Sequence, residues 1–271
     1  MTTETVPTEG PIVVGGLRLY AQRRPGSTSP PLLLIHGLGG SLTSWGALLA
    51  QLPDRDILMV DSPGAGRSAV PLLPMRLWTI ADYVAGAARA LGVDRADVLG
   101  FSHGGLVAQE LARRHPALVR RLIVVGTNMG IGSKPARWNV NRALLSTKRY
   151  RDRATAERDF PILAGGHTAR DPAVLAAVLD ARAAHAPPSR GYRYQQWAVI
   201  GWSSRRWLAQ LRVPTLVLHG EADPAVPVAN ARMLAARIPD AHLEVVPGAG
   251  HMLLFDESEK AAAIIERFLS G

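Results

Sequence analysis

Residues 96–115 read ADVLGFSHGGLVAQELARRH. An apolar run at 96–101 leads through a Gly-x-Ser-x-Gly pentapeptide into a helix-period segment at 104–115. The small residues Gly100 and Gly104 let the chain turn tightly around Ser102, in a backbone conformation that ordinary residues resist. The segment therefore predicts a strand, a sharp turn and a helix in succession, as in an α/β fold.

The same alternation of apolar runs and helix-period segments continues on both sides. A short hairpin is predicted at 12–14 and 17–21, turning at Gly15 and Gly16. Near-continuous apolar runs, typical of parallel strands covered on both faces, predict buried strands at 31–36, 56–61, 96–101, 121–126, 214–219 and 241–246. Apolar stripes predict helices at 78–91, 104–115, 228–237 and 257–269. We expect an α/β fold.

One long interval breaks this alternation. Residues 128–211 carry no clear buried strand, are rich in Arg and Trp, and are too numerous for a plain connection between two strands. We interpret them as a helical cap inserted between two strands. The core would then consist of residues 1–127 and 212–271.

Composition limits the classes of protein that fit. The chain has 271 residues, 47% of them hydrophobic, enough to fill the core of one large domain. Because it has no cysteine, disulfides, cysteine zinc sites and thiol catalysis are excluded. The N-terminus is polar and lacks the apolar run of a secretory signal, and no apolar run approaches the roughly 20 residues of a membrane span. We expect a cytoplasmic protein without a membrane span.

The positive charge does not predict a nucleic-acid partner. A formal net charge of +9 would suit phosphate contacts. However, the charge is scattered and almost entirely arginine, and no basic run interleaves with aromatic residues. A compositional bias explains it better, so we expect no nucleic-acid binding.

Metal and cofactor sites are not predicted either. The glycine-rich segment 61–68, DSPGAGRS, lacks both the G-x-G-x-x-G spacing and the lysine of a P-loop, so we interpret it as a turn that supports the site. No group of His, Asp and Glu shows the spacing of metal ligands.

Ser102 is the candidate nucleophile, and a serine hydroxyl needs a base and an orienting acid. His251 ends a Gly-Ala-Gly-His turn after the run at 241–246, and we expect it to be the base. The acid is expected on the loop after the run at 214–219. That loop carries Glu221 and Asp223, and we favour Asp223 because it lies further into the loop.

Two further sets of residues complete the predicted site. Residues 36–40, HGLGG, follow a predicted strand, and we expect the backbone amides of Leu38 and His103 to form an oxyanion hole. Aromatic residues of the 128–211 interval offer surface for an apolar acyl pocket, although packing of the interval onto the core explains any single one equally well. The candidate substrate-binding residues are His36, Trp138, Trp197 and Trp202.

Taken together, HGLGG, DSPGAGRS, GFSHGG, HGEADPAVP and GAGH resemble the α/β-hydrolase superfamily along the whole chain. The chain order of Ser102, Asp223 and His251 is the order found in that superfamily. The resemblance implies a mostly parallel, eight-stranded sheet with a cap over the site. It also implies hydrolysis of an ester, lactone or similar bond through an acyl-enzyme.

A narrower resemblance covers most of the chain, including parts of the interval at 128–211. PLLLIHGLGG, VDRADVLGFSHGG and QQWAVIGWSSRRWL are similar to intracellular medium-chain-length polyhydroxyalkanoate depolymerases. This similarity implies a polyester of 3-hydroxy acids as substrate and possible association with polyester granules. His36 and His103 depart from the pattern of that family, which commonly has asparagine and tryptophan there. A carboxylesterase or lactonase for small molecules, or a cofactor-free perhydrolase or lyase, stays open as an alternative.

Overall fold

The computed structural model describes residues 9–183 and 186–271, with side chains omitted at 181–183. Its centre is an eight-stranded sheet in the order β1-β2-β4-β3-β5-β6-β7-β8. The strands are β1 (Glu9–Val14), β2 (Leu17–Arg24), β3 (Leu32–Ile35), β4 (Ile57–Asp61), β5 (Ala96–Phe101), β6 (Val119–Val125), β7 (Thr215–Gly220) and β8 (Ala241–Val246).

The sheet is mostly parallel. The strand β2 is antiparallel to its neighbours β1 and β4, and all other neighbouring pairs are parallel. This confirms the expected α/β fold, and the predicted hairpin is present with longer strands. The strand β6 begins two residues earlier than predicted, at Val119.

Helices cover both faces of the sheet. Three 3-10 turns accompany them, at Leu42–Trp45, Lys148–Tyr150 and Leu208–Gln210. The helices are α1 (Gly46–Ala50), α2 (Leu77–Ala90), α3 (His103–Arg114), α4 (Trp138–Leu145), α5 (Arg153–Ala164), α6 (Gly166–Arg170), α7 (Pro172–Ala183), α8 (Ser189–Val199), α9 (Ala229–Ala235), α10 (Leu253–Asp256) and α11 (Ser258–Ser270). The short helices α1 and α10 were not predicted, because five and four residues are too few to show a helical period.

Alternating residues of the central strands supply two separate cores. Leu33 and Ile35 of β3 pack with α2, α3 and α9 on one face. Leu32 and Leu34 pack with α1, α10 and α11 on the other. Because β3 is buried on both faces, every one of its residues is apolar.

In the described part of the interval between β6 and β7, up to residue 183 and from residue 186, there are five helices, α4 to α8, and no strand of the sheet. It contacts the core near the C-terminus, where Phe160 of α5 packs with Met252 and Phe255. In the part of the chain that the structure describes, no helix has the length and apolar character needed to cross a membrane.

Candidate active site

Ser102 lies at a sharp turn between the end of β5 and the start of α3. Its φ of 54° and ψ of −116° place a non-glycine residue in a strained region of backbone space. Its amide donates to the carbonyl of Val125 at 2.8 Å, and its carbonyl accepts from Thr127 Oγ1 at 2.7 Å. These two hydrogen bonds fix the turn from β6, the neighbouring strand.

The turn requires glycine on both sides of Ser102. A Cβ atom at Gly104 would overlap the carbonyl oxygen of Ile35, and one at Gly100 would overlap the carbonyl oxygen of Gly104. Both obstacles are backbone atoms, which cannot move aside as a flexible side chain can. The Gly-x-Ser-x-Gly pattern therefore reflects the close approach of α3 to β3 and β5.

The structure brings Ser102, His251 and Asp223 together from three loops at one edge of the sheet. The distance from His251 Nε2 to Ser102 Oγ is 3.1 Å. The distance from His251 Nδ1 to Asp223 Oδ2 is 2.7 Å. With Nδ1 donating to the carboxylate, Nε2 can accept the proton of the serine hydroxyl.

The carboxylate of Asp223 is buried, and its hydrogen bonds fix its orientation. Its Oδ1 accepts the amide of Val226 at 2.8 Å, which leaves Oδ2 for His251. Glu221, the other candidate on this loop, is exposed, and its Oε2 accepts the amide of Gly248 at 3.2 Å. The geometry therefore selects Asp223 as the partner of the histidine.

His219 is a buried neighbour of Asp223 that the sequence reasoning missed. Its Nε2 lies 2.7 Å from the carbonyl oxygen of Val226 and 3.4 Å from Asp223 Oδ2. Burial lowers the pKa of His219, although the charge of Asp223 acts in the opposite direction. The neutral ring donates to the carbonyl of Val226 and lies against the carboxylate of Asp223. Its place at the end of an apolar strand gave no signal of this role.

The loop after β3 lies directly against the serine. A Cβ atom at Gly37 would be 3.2 Å from Ser102 Cβ, so glycine permits this close approach. His36 is buried at the start of the loop, where its Nδ1 donates to the carbonyl of Gly37 at 2.9 Å. Its Nε2 accepts the amide of Ser62 at 3.1 Å, which joins this loop to the glycine-rich segment at 61–68.

Asp61 supports the second of these loops. Its two carboxylate oxygens accept the amides of Leu42 and Arg67, each at 2.8 Å. Burial raises the pKa of Asp61 against the opposing effect of these contacts and of His36. The segment at 61–68 is thus a turn organised around Asp61, which agrees with its interpretation as a support.

A largely apolar cavity of about 70 Å³ begins at Ser102 and His251. Its polar wall includes His36 and Arg149. Its apolar wall comes from the interval between β6 and β7 and from the α10 region, namely Phe160, Leu163, Met252, Leu254 and Phe255.

A second cavity starts from the same two residues, Ser102 and His251, and extends in another direction. Its volume is about 520 Å³. Its walls include polar side chains, namely Asn128, Lys134 and Asn141. The serine thus lies where two cavities with largely apolar walls meet.

Leu38 and His103, whose amides were the expected oxyanion donors, lie beside the serine. Leu38 lines both cavities and His103 lines the second. Burial lowers the pKa of His103 to about 4, so its ring is neutral near pH 7.

The three tryptophans proposed as substrate-binding residues line neither cavity. Trp202 is buried, donates to Glu110 Oε1 at 2.6 Å and packs edge-on against Trp207. Trp138 is 72% exposed, and Trp197 lies under the guanidinium of Arg76. We therefore correct this expectation: Trp202 packs against the core and the other two face outward. Among residues 9–183 and 186–271, no group of three or more histidine and acidic side chains could hold a metal ion.

Comparison with known proteins agrees with this architecture. The family model described as the alpha/beta hydrolase fold matches residues 30–258. The chain is 34% identical to a poly(3-hydroxyalkanoate) depolymerase of Ectopseudomonas oleovorans over 248 residues, covering 91% of this chain and 87% of that one. It is 32% identical to a pimeloyl-[acyl-carrier protein] methyl ester esterase of Aromatoleum aromaticum, covering 89% and 99%. The crystal structure of the enol-lactonase from Burkholderia xenovorans LB400 superposes with a TM-score of 0.83 at 26% identity, covering 97% and 100%.

Proposed function

The chain belongs to the α/β-hydrolase family, and on this basis we propose that it is a serine hydrolase that cleaves carboxylic esters through an acyl-enzyme. The observation that carries the proposal is the continuous path of contacts from Asp223 through His251 to Ser102 Oγ. In this path Asp223 orients His251, and His251 contacts the serine hydroxyl, as nucleophilic catalysis by serine requires.

Acylation and deacylation both proceed by proton transfer through His251. His251 Nε2 takes the proton of Ser102 as Oγ attacks the ester carbonyl, and Asp223 stabilises the imidazolium that forms. The tetrahedral intermediate collapses, its C–O bond to the alcohol breaks, and the proton on His251 passes to the departing alkoxide. A water molecule, deprotonated by His251, then attacks the acyl-enzyme and releases the acid and Ser102.

The negative oxygen of the intermediate needs donors fixed in advance. We assign them to the backbone amides of Leu38 and His103. The contact of Gly37 with Ser102 and the position of His103 directly after Ser102 support this assignment, because both place backbone close to the reacting carbonyl.

For the substrate we propose a polyester of medium-chain 3-hydroxy acids. Two observations support it. The chain is 34% identical to a poly(3-hydroxyalkanoate) depolymerase over most of both chains, and the cavity beside Ser102 has an apolar wall that suits an alkyl side chain. In this proposal residues 128–211 form the cap, which contributes Phe160 and Leu163 to that wall. The second cavity would receive the departing part of the chain.

A small ester or lactone is the second candidate. The similarity to a methyl ester esterase and to an enol-lactonase favours it, because both names describe cleavage of one bond in a small acyl compound or its carrier-bound form. The two candidates share the same chemistry at Ser102 and differ in what the cavities hold.

The test is hydrolysis of p-nitrophenyl esters of increasing acyl length, run beside a suspension of medium-chain polyhydroxyalkanoate, with Ser102→Ala as the control. Release of 3-hydroxy acids that depends on Ser102 is expected. Cleavage of the small esters alone would favour the second candidate. Substantial hydrolysis by Ser102→Ala would contradict the serine mechanism itself.

A matched pair of variants tests the assignment of the apolar cavity to the acyl chain. Leu163→Trp, in the cavity wall, is expected to reduce kcat/KM for the octanoate ester at least about tenfold relative to the acetate ester. Leu145→Trp, at a position 70% exposed, is expected to leave this ratio unchanged. An unchanged ratio in Leu163→Trp would contradict the assignment.

A further inference from the structure

One residue of α8, Gln195, contacts two segments beside Ser102, one through its side chain and one through its backbone. Its Oε1 accepts the amide of Gly39 at 3.1 Å. Its backbone oxygen accepts Nε2 of His103 at 3.2 Å. Gln195 is only 2% exposed, so water does not compete freely for either contact.

The loop at residues 37–40 is held from the same interval by a second contact. Tyr150 donates its hydroxyl to the carbonyl oxygen of Leu38 at 3.4 Å. The carbonyl of Leu38 and the amide of Gly39 belong to one peptide unit, and the interval between β6 and β7 holds that unit at both ends, through Tyr150 and Gln195. The Leu38 amide belongs to the preceding unit, so its orientation depends on how the Leu38–Gly39 unit is held.

The helix that carries Gln195 is itself firmly seated. A Cβ atom at Gly191 would overlap the carbonyl oxygen of Gly64, so α8 rests directly on the backbone of the segment at 61–68. Tyr192 is fully buried, and its hydroxyl donates to the carbonyl of Leu144 at 2.7 Å. Gly191 and Tyr192 both lie in the turn of α8 before Gln195, so this part of the helix is held against the segment at 61–68 and against Leu144.

His103 retains the hydrogen that its contact needs. Burial is the largest effect that lowers its pKa to about 4, so the ring is neutral near pH 7. Nε2 can then donate to the carbonyl of Gln195, in the tautomer that has its hydrogen on Nε2. This bond ties the ring of the residue after Ser102 to α8.

We propose that Gln195 is a positioning residue of the interval between β6 and β7: its side chain sets the Leu38 half of the oxyanion hole, and its backbone carbonyl holds the ring of His103. The inference rests on the proposed function, since it assumes the amides of Leu38 and His103 as donors. It makes full catalytic power depend on the acceptor that the Gln195 side chain offers to the Gly39 amide. The interval between β6 and β7 would then do more than enclose the substrate.

The expected effect lies in the transition state. Oxyanion donors act on charge that develops after the substrate is bound, so their displacement lowers kcat and leaves KM nearly unchanged. Complete loss of one donor costs about 100- to 1000-fold in other serine hydrolases. Displacement without loss should cost less, about 10- to 100-fold.

The experiment compares two neighbouring glutamines of α8. Gln195→Met removes the acceptor for the Gly39 amide with little change in volume, and kcat for p-nitrophenyl esters is expected to fall about 10- to 100-fold with KM within about threefold. Gln196→Met is the control, because Gln196 donates to Leu144 within the same interval at 2.9 Å. It is expected to keep kcat within about threefold.

A second variant keeps the proposal testable if Gln195→Met does not fold. Gln195→Glu retains an oxygen that can accept the Gly39 amide, and its kcat is expected to lie within about tenfold of the unaltered protein; a fall of more than about 100-fold in a folded Gln195→Glu would overturn the proposal. Equal kcat in Gln195→Met and the unaltered protein would overturn the proposal. So would an equal loss in Gln196→Met, or a loss that appears in KM alone.

Failure of the proposed function is distinguishable from failure of this inference. If the unaltered protein hydrolyses no ester and does not react with a serine-directed phosphonate, the proposed function fails. If it does both and Gln195→Met is equally active, only the role of Gln195 is wrong.

Discussion

Ser102 Oγ and His251 Nε2 lie 3.1 Å apart, although 149 residues separate them in the chain. The turn between β5 and α3 presents the serine, and the loop after β8 presents the histidine. The position of His251 also depends on the inserted interval, because its amide donates to the carbonyl of Ala164 in α5 at 2.6 Å. The geometry of the pair Ser102 and His251 therefore includes a contribution from outside the sheet.

The assignment of Asp223 as the orienting carboxylate can be tested by substituting, one at a time, the two acidic residues of its loop. Asp223→Asn should lower kcat about 1000- to 10,000-fold, because an amide no longer holds His251 in the tautomer that accepts the serine proton. Glu221→Gln, whose parent residue contacts the amide of Gly248, should change kcat less than about threefold. Ester hydrolysis near pH 7 measures both, and equal losses would contradict the assignment.

Much of this site could be predicted from the sequence, for identifiable reasons. The sharp turn around Ser102 was recognisable in the sequence because contacts with nearby backbone require glycine at positions 100 and 104. The strands were recognisable because β3 and its neighbours are buried on both faces and so consist of apolar runs. The predicted ends of the strands differ from the observed ends by one or two residues, as at Val119, where β6 begins.

The remainder depended on contacts between distant parts of the chain. Gln195 and Gly39 are 156 residues apart, and no local pattern marks a glutamine that accepts a loop amide. The aromatic residues of the interval between β6 and β7 were predicted to line the pocket, and contacts with distant residues place them elsewhere. Trp202 is a large side chain of the kind that lines pockets, but its indole N–H donates to buried Glu110.

The buried ring of His103 predicts a pH dependence of stability. Its pKa is about 4 in the folded protein and about 6.5 in an unfolded chain, so between these values the unfolded state binds more protons. The free energy of unfolding therefore falls as pH falls through this range, by about 2 kcal/mol from this residue at pH 5. His219, whose pKa burial also lowers, acts in the same direction.

Urea unfolding at about pH 7 and about pH 5 measures this contribution. The unaltered protein should lose about 2 kcal/mol more than His103→Gln between the two conditions. Equal losses would show that His103 does not remain neutral in the folded protein at the lower pH.

The tight turn around Ser102 predicts that alanine substitutions at two glycines have very different effects on the free energy of unfolding. Gly104→Ala should reduce the free energy of unfolding by about 1–3 kcal/mol or more, because the added Cβ overlaps the backbone carbonyl of Ile35. Gly46→Ala places its Cβ in open space at the start of α1, with helical φ and ψ, and should be neutral or stabilising by up to about 1 kcal/mol. Denaturant unfolding of both variants compares them, and a harmless Gly104→Ala would contradict the close packing of α3 on β3.

The central claim is that Ser102 is the nucleophile, and covalent labelling tests it most directly. The protein is incubated with a p-nitrophenyl phosphonate, and the released p-nitrophenolate, the intact mass and the modified peptide are measured. The mechanism predicts one p-nitrophenolate and one adduct per chain, on the peptide that contains Ser102, with no adduct on Ser102→Ala. Continued ester hydrolysis with Ser102 unmodified, or an adduct on another residue, would contradict the mechanism.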